Sequence, residues 1–321
     1  MRYLVRSFIA LLVLARATAG DAAPDTMRAA VIVDGSVQLA TRPIPQPEAG
    51  QVRIKVRAAS VNPVDWKLAA RAQTSGTQIP GRDLSGVVEA LGPGVTDWRI
   101  GDPVIAIAAA GSYAEYALAS THAMAGKPAV MSYAEAAGIP VVGETAWRAI
   151  VVVAKVQKGQ RVLIHGGAGG VGSSAVQIAK SVGAYVIATA SARNQAFLRS
   201  LGADETIDYT ATRFEDHLSG LDVVLNTVDA DTGSRSMHVL RKDGILVSVV
   251  GPPPADQCAA AQIRCAVTGS VTGEFLGQVV ALANAGAFRV SVEERLPLAE
   301  AAKGWEESRA GHTRGKIILV P

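Results

Sequence analysis

The chain has 321 residues, 49% hydrophobic and 18% charged, with 32 glycines and 15 prolines. This composition excludes a disordered chain and a collagen-like repeat, and the length suits two domains of about 150 residues each. With 31 Lys and Arg against 28 Asp and Glu the net charge is +3, and no run of like charges marks a nucleic-acid face.

Residues 1–19 open with Arg2 and Arg6, continue through an apolar run at 8–15 and end Ala17-Thr18-Ala19. That is the layout of a secretory signal with a small-x-small cleavage site, and the run is too short to span a membrane. It implies export to the periplasm, with residues 1–26 as a leader. The alternative is a cytoplasmic protein starting at Met27, where Met27-Arg28-Ala29-Ala30-Val31-Ile32 opens like a domain. Cleavage after Ala19 removes three Arg and no acid, leaving 28 basic against 28 acidic side chains.

Short runs cut by Gly and Pro follow at 29–33, 51–59, 85–91, 103–109 and 113–118. Val52-Arg53-Ile54-Lys55-Val56-Arg57 alternates apolar and basic residues, the mark of a half-buried antiparallel strand. Pro43, Pro45 and Pro47 confine their segment to a loop or an edge. This half predicts a barrel-like β region.

The texture changes at Ser132-Tyr133-Ala134-Glu135, a capping box opening an Ala-rich helix. Strands are then predicted at 161–165, 185–190, 222–226, 244–250 and 263–268, with helices near 170–181, 193–201 and 232–240. Apolar triplets such as Val162-Leu163-Ile164 and Val223-Val224-Leu225 suit a parallel sheet covered on both faces. Beyond residue 286 a strand at 288–292, a helix at 298–308 and a strand at 316–320 are predicted. The expected fold is therefore α/β: a Rossmann-type doubly wound parallel sheet at 145–285, and a β-barrel catalytic domain split between 27–144 and 286–321.

Within this frame, Gly167-Ala168-Gly169-Gly170-Val171-Gly172 follows a strand and opens a helix, the G-x-G-x-x-G context of dinucleotide binding. Gly167 permits the tight turn, Gly169 lets backbone approach a pyrophosphate, and Gly172 lets the helix pack closely. The helix N-terminus offers free N–H groups to the phosphates. After the second strand of the unit comes Thr189-Ala190-Ser191-Ala192-Arg193, with no acid to hold a ribose 2′-hydroxyl. Ser191 can donate a hydrogen bond and Arg193 can pair with a 2′-phosphate, so the expected cofactor is NADP (NADPH).

Cys258 and Cys265 are the only cysteines; they are either a disulfide or two buried thiols. They cannot build a structural zinc site, the five His show no helical pairing, and no G-x-S-x-G is present. Gly311-His312-Thr313-Arg314-Gly315-Lys316 is one residue short of a P-loop.

From about Met27 to Pro321 the chain resembles the medium-chain dehydrogenase/reductase superfamily, in its zinc-free quinone oxidoreductase-like branch, which includes zeta-crystallin and enone reductases. The matching motifs include Ala59-Ser60-Val61-Asn62-Pro63-Val64-Asp65, Gly81-Arg82-Asp83-Leu84-Ser85-Gly86, Gly101-Asp102-Pro103-Val104, Thr145-Ala146-Trp147, Leu201-Gly202-Ala203-Asp204 and Gly315-Lys316. Zinc-dependent members carry Cys where this chain has Asn62 and Gly-His-Glu where it has Gly81-Arg82-Asp83, so no metal is expected.

The resemblance implies a GroES-like catalytic domain, a homodimer, and NADPH-dependent reduction of quinones or α,β-unsaturated carbonyls. The alternatives are a non-catalytic NADP(H)-binding protein of the crystallin kind and a metal-free carbonyl or alcohol oxidoreductase. No nucleic-acid or membrane partner is expected. By resemblance Asn62 and Thr145 lie near the nicotinamide, and Asn62 lies near the substrate as a catalytic residue that orients or polarises its oxygen. The backbone of Gly169, Gly170 and Val171 meets the pyrophosphate, and Ser191, Arg193 and Tyr209 surround the 2′-phosphate. Thr227 and Val250 line the nicotinamide by the strand-end rule. Arg314 and Lys316 either approach the cofactor or lie on the surface. Lys67, where several relatives carry Tyr, either donates to the substrate oxygen or snorkels to water. Asp65 is expected to accept nearby backbone donors.

Overall fold

The computed structural model describes residues 25–71 and 78–321, so the leader predicted at 1–19 lies outside the described residues. The first strands are β1 (Thr26–Val33) and β2 (Ser36–Pro43), an antiparallel hairpin, followed by β3 (Gln51–Ser60) and helix α1 (Pro63–Arg71). Then come β4 (Asp83–Leu91), β5 (Pro103–Ile107), β6 (Tyr116–Ser120), β7 (Met124–Gly126), and helices α2 (Tyr133–Ala137) and α3 (Pro140–Trp147). The second half runs β8 (Arg161–Ile164), α4 (Gly170–Ser181), β9 (Tyr185–Ala190), β10 (Glu205–Asp208), β11 (Leu221–Asn226), β12 (Leu240–Ser248) and β13 (Arg264–Val267). It closes with β14 (Val292–Pro297) and β15 (Lys316–Val320).

Two large sheets result. Strands β8 to β13 form a six-stranded parallel sheet in the order β10-β9-β8-β11-β12-β13. Its central strands are fully buried because helices cover both faces, which is why they carry uninterrupted Val, Leu and Ile. The other sheet runs β14-β15-β3-β4-β5-β7, with β6 also on β3. β3 holds β4 along its length, β6 at one end and β15 at the other, and two bulges bend it so that the sheet curls around its own core. The last strand therefore returns to the sheet built mainly from the first half.

Where the boundaries differ from expectation, the cause is local. Leu240 opens β12 instead of ending a helix, and the helix before it is Ala230–Ser236, capped by the Asp229 side chain on Thr232 N–H. The strand expected at 288–292 lies at Val292–Pro297, where it pairs in parallel with β15; Phe288 is buried in the other core instead. β2 is an edge strand too polar to be read as one, and Pro43 ends it. α1 starts on Pro63, whose missing N–H costs nothing at a first helical position. The Ser132–Glu135 capping box forms as predicted. Cys258 and Cys265, left open by the sequence, are joined as a disulfide linking helix Ala255–Ala260 to β13.

Candidate active site

The phosphate turn is built as its sequence demands. β8 leads through His165 and Gly166 into Gly167, and Gly169 is the N-cap of α4 in extended backbone with no side chain over the helix end. Ser173 N–H is the first to reach back to Gly169 O, so the amides of Gly170, Val171 and Gly172 have no acceptor within the helix. A Cβ on Gly172 would stand 2.2 Å from Gly166 O, so α4 approaches the turn as only glycine allows. A Cβ on Gly169 would meet nothing nearer than 3.5 Å, which leaves open space beside these amides. A free helix N-terminus with open space beside it fits a dinucleotide pyrophosphate.

Because the sheet is parallel, every strand delivers its carboxyl end to this edge. After β9 comes Ser191, and Tyr209 N–H donates to Ala190 O at 3.3 Å, so Tyr209 lies beside the acid-free strand end. Arg193 is exposed there, its Nη2 donating to His312 O at 2.7 Å. After β11, Thr227 Oγ1 donates to His165 O at 2.7 Å. Val250, 42% exposed, follows β12. Arg314 turns aside: it stacks on Phe197 and pairs with Glu293.

The other half of the site is a buried polar cluster. Asn62 precedes α1 and is 1% exposed. Its Nδ2 donates to Asp83 Oδ2 at 2.8 Å, and its Oδ1 accepts from Lys316 Nζ at 2.6 Å. Lys316 Nζ also donates to Val61 O at 2.8 Å and lies 3.9 Å from Asp83 Oδ2. The surface placement weighed for Lys316 is thus overturned: the residue opens an apolar strand that must enter the core, and its ammonium goes in with it. Asp83 Oδ1 accepts the Val141 N–H at 2.8 Å, capping α3 from the start of β4 where Ile139 offers no side-chain cap. Asp65 Oδ2 accepts from Asn62 N–H and from the Tyr113 hydroxyl, each at 2.9 Å, while Oδ1 has no partner. The backbone-accepting role expected for Asp65 is therefore present.

Two carboxyl groups share one ammonium. Burial raises Asp83 and lowers Lys316, and each opposes the other's shift. Burial lifts Asp65 to about 7 against the pull of the Asn62 N–H. Asp83 faces the ammonium and accepts two N–H bonds, so it holds the negative charge, and Asp65 titrates near neutrality. Burial beside Asp65 pushes Tyr113 well above its ordinary range, so it stays a donor.

Lys67 is not part of this cluster. It sits two residues beyond the buried Asp65, about 200° round the helix, so it faces solvent with its ammonium over the Trp66 ring. Thr145 is buried in α3, one turn beyond Val141. Its neighbour Glu144 accepts from Thr272 N–H and Oγ1 and from Gly273 N–H, pinning the loop after β13 against α3. Sequence reasoning missed Asp83, Tyr113 and Glu144 as members of the site. The available signal was a charge inside an otherwise apolar strand or helix, as at Asp83 and Lys316.

Comparison with known proteins agrees with this construction. Residues 48–129 match the alcohol dehydrogenase GroES-like domain, 135–245 the C-terminal domain of alanine dehydrogenase/PNT, and 201–319 the zinc-binding dehydrogenase family. The chain belongs to the medium-chain dehydrogenase/reductase superfamily, among its quinone oxidoreductase-like members. It is 32% identical over 303 residues to the chloroplast envelope quinone oxidoreductase homolog of Arabidopsis thaliana, spanning 87% of this chain and 92% of that one. The NADPH-dependent alkenal/one oxidoreductase of the Arabidopsis chloroplast is 32% identical over 298 residues, with 87% and 74% covered. Among solved structures, the quinone oxidoreductase from Coxiella burnetii superposes with a TM-score of 0.84 at 34% identity, over 92% of this chain and 99% of that one. The two sheets are accordingly a GroES-like and a Rossmann-type unit.

Proposed function

We propose that the protein is an NADPH-dependent oxidoreductase that reduces quinones or α,β-unsaturated carbonyls without a metal. The observation that carries this reading is one site built from two halves: an open phosphate turn at a sheet edge without an acid, and the Asn62 cluster, joined to it by Gly315 and Lys316. NADPH, when bound, supplies a hydride to a carbon conjugated with a carbonyl. The chain's own part is to bind and orient. The amides of Gly170, Val171 and Gly172 hold the pyrophosphate; Ser191, Arg193 and Tyr209 select the 2′-phosphate; Thr227, Val250 and Thr145 border the nicotinamide. Asn62, buried with both ends of its amide held, backs the cleft beside the reacting carbon and is not free to bond the substrate oxygen, and solvent returns the proton to the reduced substrate.

The donor set does not suit zinc. An amide stands where zinc-dependent relatives carry a thiolate, and an ammonium lies 2.6 Å from its oxygen. No group of three metal-binding side chains occurs among the described residues. The functional units run 27–144 with 286–321 and 145–285, and two copies associate. The disulfide supports passage through an oxidising compartment, and hence the exported form, with a leader that ends before Thr26 opens β1. No helix among the described residues is long and apolar enough to cross a membrane.

The test is NADPH oxidation, followed by nicotinamide absorbance, with a panel of quinones and enones. Turnover of at least one acceptor class is expected. Binding of NADPH with no turnover of any acceptor favours the crystallin-like alternative.

A further inference from the structure

Lys316 opens β15 at 4% exposure, where an ammonium group is costly unless held on all sides. Its stem belongs to the cofactor half. Gly315 N–H donates to Ala168 O at 2.9 Å, Gly315 bridges Gly169 in parallel, and a Cβ on Gly170 would stand 3.0 Å from Lys316 Cδ. Its tip belongs to the other half, on Val61 O and Asn62 Oδ1. A thioether of similar reach would fill the same space, so the charge serves something other than filling.

What the charge adds is direction. A carboxamide has a donor end and an acceptor end of nearly equal shape, and packing alone does not tell them apart. Lys316 only donates, so it faces Oδ1. The ionised Asp83 only accepts, so it faces Nδ2. Two opposite charges thus key the amide from its two ends, and the Nδ2 contact to Ser60 O is long, at 3.4 Å. Asp83 in turn holds the first turn of α3 through Val141 N–H, on the helix that carries Thr145.

We propose that Lys316 is a positioning residue of the reductase: with Asp83 it keys the Asn62 carboxamide into one orientation and ties it to the phosphate turn. This rests on the reading that Asn62 borders the reacting carbon. Lys316→Met alone strands the Asp83 charge and endangers the fold, so the informative variant is Lys316→Met/Asp83→Asn. There the buried charges leave together, and the amide is free to turn its oxygen toward the new side-chain N–H₂.

The protein contains four asparagines, at 62, 194, 226 and 284, so asparagine-selective ¹⁵N labelling yields a short set of side-chain amide signals. In the double variant, whose new asparagine at 83 adds one further pair, the Asn62 pair is expected to move while those of Asn194, Asn226 and Asn284 hold. NADPH affinity should stay within about threefold, and kcat with the best acceptor should fall at least about tenfold, as misplacement of a site wall does. An unmoved Asn62 signal overturns the proposal, and so does wild-type kcat despite a moved signal. A double variant that does not fold assigns the lysine to stability and overturns it as well. If the wild-type protein reduces no acceptor, the proposed activity fails, and the amide signals still decide whether Lys316 orients Asn62.

Discussion

Arg193 illustrates how a single side chain can be legible in the sequence while its partners are not. The missing acid and the added guanidinium follow from reading five residues in a row. Its contact with His312 O, across more than a hundred residues of chain, does not. A 2′-phosphate bound there would meet a guanidinium already pinned at one nitrogen. Arg193→Ala is expected to weaken NADPH at least about tenfold and to leave NADH within about twofold, since only a charge-assisted pair is lost. Equal losses in titrations with the two nucleotides would remove Arg193 from the site. His165 offers a test of a buried neutral group. Its ring sits between Thr189 Oγ1 and Ser236 Oγ, and burial lowers it to about 4 from 6.5, helped by the nearby Arg235 charge. Between those pH values the unfolded chain binds the proton and the native ring does not. Stability is therefore lost as pH falls through this window, by up to about 3 kcal/mol. His165→Gln lacks that loss, so denaturant midpoints of the two proteins should converge from pH 7 toward pH 4. Asp65 works in the opposite sense in both and cancels from the difference. A constant gap would contradict the assignment.

At the scale of elements, the strand–turn–helix at Arg161–Ser181 was readable because every requirement of the turn is local: an apolar strand, glycines at set spacing and a helix of small residues. The buried cluster was not. Asn62, Asp83 and Lys316 come from a strand exit and the first residues of two strands, and no spacing relates them. The loop pinned by Glu144 was hidden for the same reason. Two glycines show what the local rule predicts. In Gly172→Ala the added methyl meets Gly166 O and C and Gly167 Cα, all within 3 Å, so the turn must shift. NADPH binding should be lost or fall by at least about a hundredfold, as backbone phosphate donors move out of line. At Gly277, in helix Leu276–Asn284, the methyl meets nothing within 4 Å, and Gly277→Ala should raise stability by about 0.5 kcal/mol. A calorimetric scan of each, with and without NADPH, separates the two effects; NADPH stabilising Gly172→Ala as it does wild type would contradict the close approach.

For the molecule as a whole, the Cys258–Cys265 bridge closes a short loop, with a sequence separation of seven, at the edge strand of the six-stranded sheet. A loop of that size is worth about 2 kcal/mol on the chain-entropy account, so reduction should lower the melting temperature by a few degrees and leave NADPH binding intact. Protein taken from its own compartment should show no reactive thiol; labelling of both cysteines there would contradict the bridge. The order of the strands also bears on synthesis. The six-stranded sheet is contiguous in the chain, whereas β14 and β15 must join β3 after more than two hundred further residues have been made. On the ribosome the Rossmann-type unit can close while the curled sheet still waits for its last strands, leaving the Ala59–Ser60 end of β3 unpaired on the side that β15 takes. Ile318 and Leu319 end that wait by pairing with Ser60 and Ala59, and Lys316 beside them reaches Val61 O and Asn62, so the last strand of the early half's sheet and the joining of the two halves arrive on one short segment.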